Sequence, residues 1–309
     1  ERGRVQIKRE EIKTETKETN YKMGLQRIEP GTFMLGFPEN SEYVETTLTH
    51  PFEAMSTPVT QSMWFNIMKE NPSHFKTGPG EIAIKIDGRT VKLLPDHPVE
   101  MVSWWSAVYF ANVLSERDGL KPAYDLSRVV FAKDGKVPFS TKEEVFRAAA
   151  NGTLDALHGD GLVDYALATN IYLAEGYRLP TNAEQEYMLR AGGKSKRRYH
   201  FGDNEVNLKQ YAWFGGRGNS THAVALLLPT FINGDSFFDL MGNVSEWGYD
   251  VWSSTRGGQD PQNGVGRSRV SRGGNWTNWA RDLASYHYDC SPPGQVVNSR
   301  GFRLVRTLE

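Results

Sequence analysis

The chain has 309 residues, a formal net charge of −1 and a pI near 6.8, so no overall field draws it to nucleic acid or to an anionic membrane. Its single cysteine, Cys290, excludes an intrachain disulfide and any zinc site built from several thiolates. Thirty glycines, fifteen prolines and eight tryptophans describe a loop-rich protein with an aromatic core and exclude a simple helical bundle, while the length fits one long domain or two.

Residues 1–20 are rich in Lys, Arg, Glu and Thr and carry almost no large apolar side chains, so they cannot bury enough surface to offset their ordering entropy. A charged tail or spacer is expected there, followed by a single domain over 21–307. MGLQRIEPGTFMLG (23–36) places apolar residues on both sides of a Pro-Gly turn and predicts two short strands in a hairpin. Thr60 can cap a helix carrying Met63, Trp64, Ile67 and Met68, which Asn71-Pro72 then ends. A second helix begins near Ser103, with Trp105, Val108, Ala111 and either Val113 or Leu114 on the face laid against a sheet, and stops at Asp118-Gly119.

Residues 123–175 show weaker periodicity, with one helix-like piece over 141–153, and read as an insertion packed on the main body. The next helix has both ends specified, by the capping box Thr181-x-x-Glu184 and by Gly192-Gly193. The charge run Lys194-Ser195-Lys196-Arg197-Arg198 after it reads as a solvated turn. Trp64, Trp104, Trp105, Trp213, Trp247 and Trp252 are assigned to core packing and not to carbohydrate stacking.

The C-terminal forty residues differ from everything before them. SRVSRGGNW (268–276) and GFRLVR (301–306) form a definite frame around a segment with neither the period of a strand nor that of a helix. Such a segment reads as a surface selected for what it touches.

The segments PVTQSMWFNIMKENPSHF, HPVEMVSWWSAVYFANVLS, GYRLPTNAEQEYMLRAGG, FGDN, FDLMGNVSEWGYD, SRGGNW and GFRLVR, in this order, resemble the sulfatase-modifying-factor family typified by formylglycine-generating enzymes. The resemblance implies an α+β, C-type lectin-like fold rich in irregular structure, with an exposed C-terminal face. Activity in that family uses two cysteines five apart that bind copper and meet a substrate thiol. Here those positions fall on Asn278 and Leu283, and neither side chain offers a sulfur ligand. An oxidase of the formylglycine-generating type, or a related metal-dependent enzyme, is therefore the alternative and not the main reading.

The chain resembles more closely the variable proteins of diversity-generating retroelements, which use this fold without the catalytic cysteines. The resemblance implies a variable region around 271–300, rewritten by adenine-directed mutagenesis of AAC-rich codons. Such codons cannot yield Lys, Glu, Gln, Met or Trp, and none of these occurs in Tyr286-His287-Tyr288-Asp289-Cys290-Ser291-Pro292 or in Val296-Val297-Asn298-Ser299. Trp279 and Gln295 must then be fixed or encoded differently. The ligand-binding face implied comprises Ser271, Thr277, Asn278, Asp282, Tyr286, His287, Tyr288, Asp289, Cys290, Ser291, Val297 and Asn298, with the three consecutive aromatic residues exposed on one face with Thr277 and Asn278. Tyr286, His287 and Tyr288 offer wide amphipathic contact with few rotors to freeze, as in antibody paratopes. Arg272, Gly273, Gly274, Trp276, Gly301 and Phe302 are expected to support that face.

The implied function is non-enzymatic recognition of a macromolecular ligand, a protein or a glycan on a cell surface, with no nucleic-acid partner. The implied location is the bacterial cell surface, as an outer-membrane lipoprotein whose lipid anchor is absent from this chain. Gly242–Trp247 matches a family segment that can hold calcium, with Glu246 as the ligand candidate; a glutamate bonded to loop amides would look the same. No other cofactor is expected. His287 has no nucleophile or second metal-spaced histidine to work with, and His97 reads as structural. Nothing near Cys290 in sequence, His287 apart, would activate its thiol.

Overall fold

Helix caps set the main-chain path. The computed structural model describes residues 24–39, 43–157, 170–215, 217–252, 257–264, 266 and 268–309; the expected tail over 1–20 lies outside them. Helix α1 (Gln61–Met68) starts where Thr60 Oγ1 accepts from Met63 N, and ends at Lys69 in a left-handed conformation. Helix α2 (Trp104–Arg117) is capped by Ser103, whose hydroxyl accepts from Ser106 N and donates to Leu154 O. Helix α3 (Lys142–Ala150) falls within the 141–153 piece and carries a capping box of its own, Thr141 with Glu144. Helix α4 (Asn182–Leu189) has the expected Thr181–Glu184 box, and Gly192 and Gly193, both at positive φ, donate to Tyr187 O just beyond its end. Helix α5 (Glu205–Leu208) is a single turn.

The strands at the start are where expected but paired otherwise. Leu25–Ile28 and Gly31–Leu35 flank the Pro-Gly turn yet do not form a hairpin. The first pairs with Phe52–Met55, which also takes Val305–Thr307, so the two ends of the domain meet in one sheet. The second pairs with Val44–Leu48, which in turn holds Gly258–Gln259. Ile28 and Phe33 are both buried, so the turn swings the chain from one sheet to another and both strands still bury apolar side chains.

A four-stranded sheet carries the C-terminal region, in the order Tyr288–Ser291, Arg269–Arg272, Ser245–Val251, Arg300–Phe302. All seven residues of Ser245–Val251 are buried. A central strand buried on both faces needs partners for its polar side chains, and this one finds arginines, as described below. Trp64, Trp104, Trp105 and Trp247 are fully buried in one core that runs from Ile28 to Val305. Of the tryptophans assigned to the core, Trp252 departs: it is 49% exposed, at the end of the central strand. Within 123–175, Phe131, Ala149, Ala150, Leu154 and Ala156 join the same core.

Candidate functional site: the C-terminal face

The Arg272-Gly273-Gly274 turn positions the irregular segment. Gly273 and Gly274 sit at φ of +90° and +67°, and a Cβ on them would lie 2.5 Å from Leu240 O and 2.6 Å from Leu283 Cδ1. The turn therefore requires glycine twice, for conformation and for close approach. Arg272 is buried; its Nε donates to Asn182 Oδ1 at 2.7 Å and its Nη2 pairs with Glu186 at 2.8 Å. The remaining nitrogen, Nη1, donates to Ser285 O at 3.0 Å and His287 O at 3.2 Å. A fixed arginine thus grips the aromatic run through its carbonyls.

The same pattern recurs along the segment. Ser285 N donates to Arg198 O at 2.7 Å, and Gly215 N to Asn278 O at 2.8 Å. Trp104 N donates to Pro293 O, Met101 N to Val297 O, and Trp276 Nε1 to Asn298 O. Each of these bonds uses a main-chain group of the irregular segment; all but the Ser285 N–H are carbonyls, which any residue, proline included, supplies equally.

The side chains of the face are disposed as follows. Thr277, Asp289 and Cys290 are exposed; Asn278, Asp282, Tyr286, His287, Tyr288, Val297 and Asn298 are half-buried. Tyr286 packs on Phe37, with ring centres 4.5 Å apart, and Tyr288 accepts from Trp252 Nε1 at 2.7 Å and lies under the Arg272 guanidinium. His287 approaches Asp289 at 3.8 Å, and that neighbour holds the Asp289 carboxyl below its ordinary range. The aromatic run is thus partly sheltered, because each ring leans on a different fixed neighbour. Thr277 donates from N and Oγ1 to Asn275 Oδ1, whereas Asn278 accepts from Asn275 N at Oδ1 and from Gly215 N at its carbonyl. Asp282 caps the short 3₁₀ turn Ala280–Leu283 through Trp279 N.

Two expected site residues are corrected. Ser271 is fully buried and Ser291 nearly so, because they belong to adjacent strands of the four-stranded sheet and turn inward. Glu246, the calcium-ligand candidate, turns its carboxylate to Arg303, with Nη2 at 3.0 Å from Oε1 and Nε at 3.1 Å from Oε2. Arg303 also donates to Met55 O and Phe238 O, so the cation beside this carboxylate is fixed by main-chain acceptors. Burial pushes the Glu246 carboxyl up, and Arg303 opposes that shift.

Asn278 and Leu283, at the positions of the family's cysteines, have structural work: Asn278 Oδ1 accepts from Asn275 N, and Leu283 is buried under Gly274. His97 meets Thr221 Oγ1 through Nδ1, and burial lowers its pKa to about 4.

Trp279 is the residue that the sequence reading did not place on the face. It is 71% exposed, its backbone fixed by Asp282 and its ring in solvent. The codon pattern says only that Trp279 is fixed or encoded differently, which does not point to an exposed contact residue.

Residues 8–308 match the sulfatase-modifying factor enzyme 1-like domain. The chain belongs to this family. It is 26% identical over 297 residues to a protein of Paenibacillus barcinonensis named chaperone protein LppX, covering 91% of this chain and 88% of that one. Among solved structures it is similar to Treponema denticola variable protein 1, at 28% identity and a TM-score of 0.69, covering 92% of this chain and 95% of that one. The structure of CarF is similar at 25% identity and a TM-score of 0.56, with 93% and 100% covered. The mixed helix-and-sheet architecture is therefore that of the formylglycine-generating-enzyme type, and its variable-protein form is among its structural neighbours.

Proposed function

We propose that this protein is a non-enzymatic binding protein whose C-terminal face, comprising Thr277, Asn278, Asp282, Tyr286, His287, Tyr288, Asp289, Cys290, Val297 and Asn298, with Trp279 added, recognises a macromolecular ligand. The carrying observation is that fixed residues hold the face by its main chain, above all through Arg272 on Ser285 O and His287 O. Where the frame holds the main chain and not the side chain, as at His287 and Val297, the side chain is free to change target without changing fold. The similarity to a variable protein supports this reading. The missing cysteine pair and the structural use of Asn278 and Leu283 argue against the oxidase alternative. The reading includes display at a bacterial cell surface, with the charged N-terminal residues as spacer.

The test is binding to a panel of cell-surface proteins and glycans, by the parent chain beside a variant with alanine at Tyr286, His287 and Tyr288. Binding lost in a variant that melts cooperatively is the expected result. A ligand bound equally by both would move the site elsewhere.

A further inference from the structure

We propose that the basic turn Lys194–Arg198 is the charged rim of the same face, and that the ligand is a protein presenting an acidic segment to it. This rests on the reading of the face given above. In sequence the run is a turn after a helix; in the structure it is tied back to helix α4 through Arg190 and to the irregular segment through the Arg198 carbonyl and, one residue on, the Tyr199 hydroxyl. Arg190 Nη1 donates to Ser195 O at 3.2 Å, Ser285 N donates to Arg198 O at 2.7 Å, and Tyr199 Oη donates to Ala280 O at 2.9 Å. The turn therefore lies against residues 280–286.

Charge is in local excess there, although the whole chain is nearly neutral. Lys194, Lys196 and Arg197 are exposed, and Arg281, two residues beyond Trp279, has 78% of its side chain in solvent. The nearby carboxylates are already engaged: Asp203 by Arg197, Glu205 by Arg198, and Asp282 by Arg281. Among the described residues Lys194 and Lys196 have no ion-pair partner. Five cations thus stand against three carboxylates around an exposed tryptophan and a tyrosine. Charge complementarity requires a negative partner, and such a rim raises its association rate. Trp, Tyr and Arg together make the side-chain set that dominates protein–protein contacts. Trp279 stands out from the surface beside that charge, as the aromatic anchor of a protein contact does.

Poly-L-glutamate is the probe, with heparin as the sulfated-glycan control, read by tryptophan fluorescence and by surface-immobilised binding at low and high salt. We expect poly-L-glutamate to bind, weakening with salt. The combined Lys194→Ala, Lys196→Ala, Arg197→Ala variant should lose tenfold or more, and Trp279→Ala should lose at least threefold. Removing two exposed lysines outside the face, Lys133→Ala with Lys136→Ala, should change nothing. The proposal is overturned if the parent chain does not bind poly-L-glutamate, if heparin alone binds, or if the Lys133 and Lys136 control weakens binding as much as the rim variant. If the rim variant binds normally while the Tyr286–Tyr288 alanine variant still loses its panel ligand, the rim fails and the face stands. If the rim variant loses binding but neither Trp279→Ala nor that alanine variant does, the rim acts apart from the face, which also overturns the proposal.

Discussion

Glu246 and Arg303 show how a single residue is read incompletely when its partner is far along the chain. The GNVSEW motif made Glu246 look like a calcium ligand, but the guanidinium that neutralises it comes from 57 residues away and no local spacing announces it. Both groups are buried, so the pair stands or falls together. Removing one partner of a buried ion pair costs about 3–5 kcal/mol, because the other charge is left without compensation. Arg303→Met should therefore lower unfolding free energy in urea by about that amount, and adding Glu246→Leu should recover much of it. The melting temperature should be the same with calcium and with a chelator. A rise with calcium would restore the ligand reading.

At the scale of elements, caps were legible and pairings were not. Thr60, Ser103 and Thr181 begin helices where the sequence says, since a cap and its N–H partner lie three residues apart. The Pro-Gly turn was equally local, but which strands it joins depends on sheets assembled from residues far downstream. The irregular segment was recognisable by its lack of period, whereas its sheltering by Phe37 and Trp252 was not, because both come from other parts of the chain.

The way the segment is held leads to a measurable asymmetry. Single alanine substitutions at His287, Asp289, Cys290 and Val297 should each stay within about 1 kcal/mol of the parent stability, since each leaves the main-chain bonds of the segment in place and removes at most an exposed contact. Arg272→Met should cost several kcal/mol, since it strips Glu186 of a buried partner and frees Ser285 O and His287 O. Chemical denaturation of the five variants tests this. Equal losses at face and frame would mean that side chains, not the main chain, hold the segment.

For the whole molecule, buried titratable groups of opposite sense set the pH profile of stability. Burial lowers His97 and His200 to about 4 from an ordinary 6.5. Between those values the unfolded chain takes up protons that the folded chain refuses, so this stability is lost as pH falls below 6.5. Burial raises Glu100 and Asp250 to about 7, although Glu100 accepts from His74 N and Phe75 N, and Asp250 from Asn182 N and Asn263 N. Here the folded chain keeps protons that the unfolded chain releases, so stability is lost as pH rises from the ordinary carboxylate range through 7. With two groups on each side, the melting temperature should be nearly flat from about pH 4.5 to 6.5, then fall until just above 7, where only the carboxylates still titrate. Asp239 and Glu246, also pushed up by burial, act with the carboxyls, and His222, pushed down by burial, acts with the histidines, so they oppose each other below pH 6.5. In a Glu100→Gln, Asp250→Asn double variant the fall should shrink, and the histidines should leave a rise between about pH 4 and 6.5. A parent profile that keeps rising to pH 8 would show that both carboxyls ionise in the folded protein at ordinary values, with their amide donors outweighing burial.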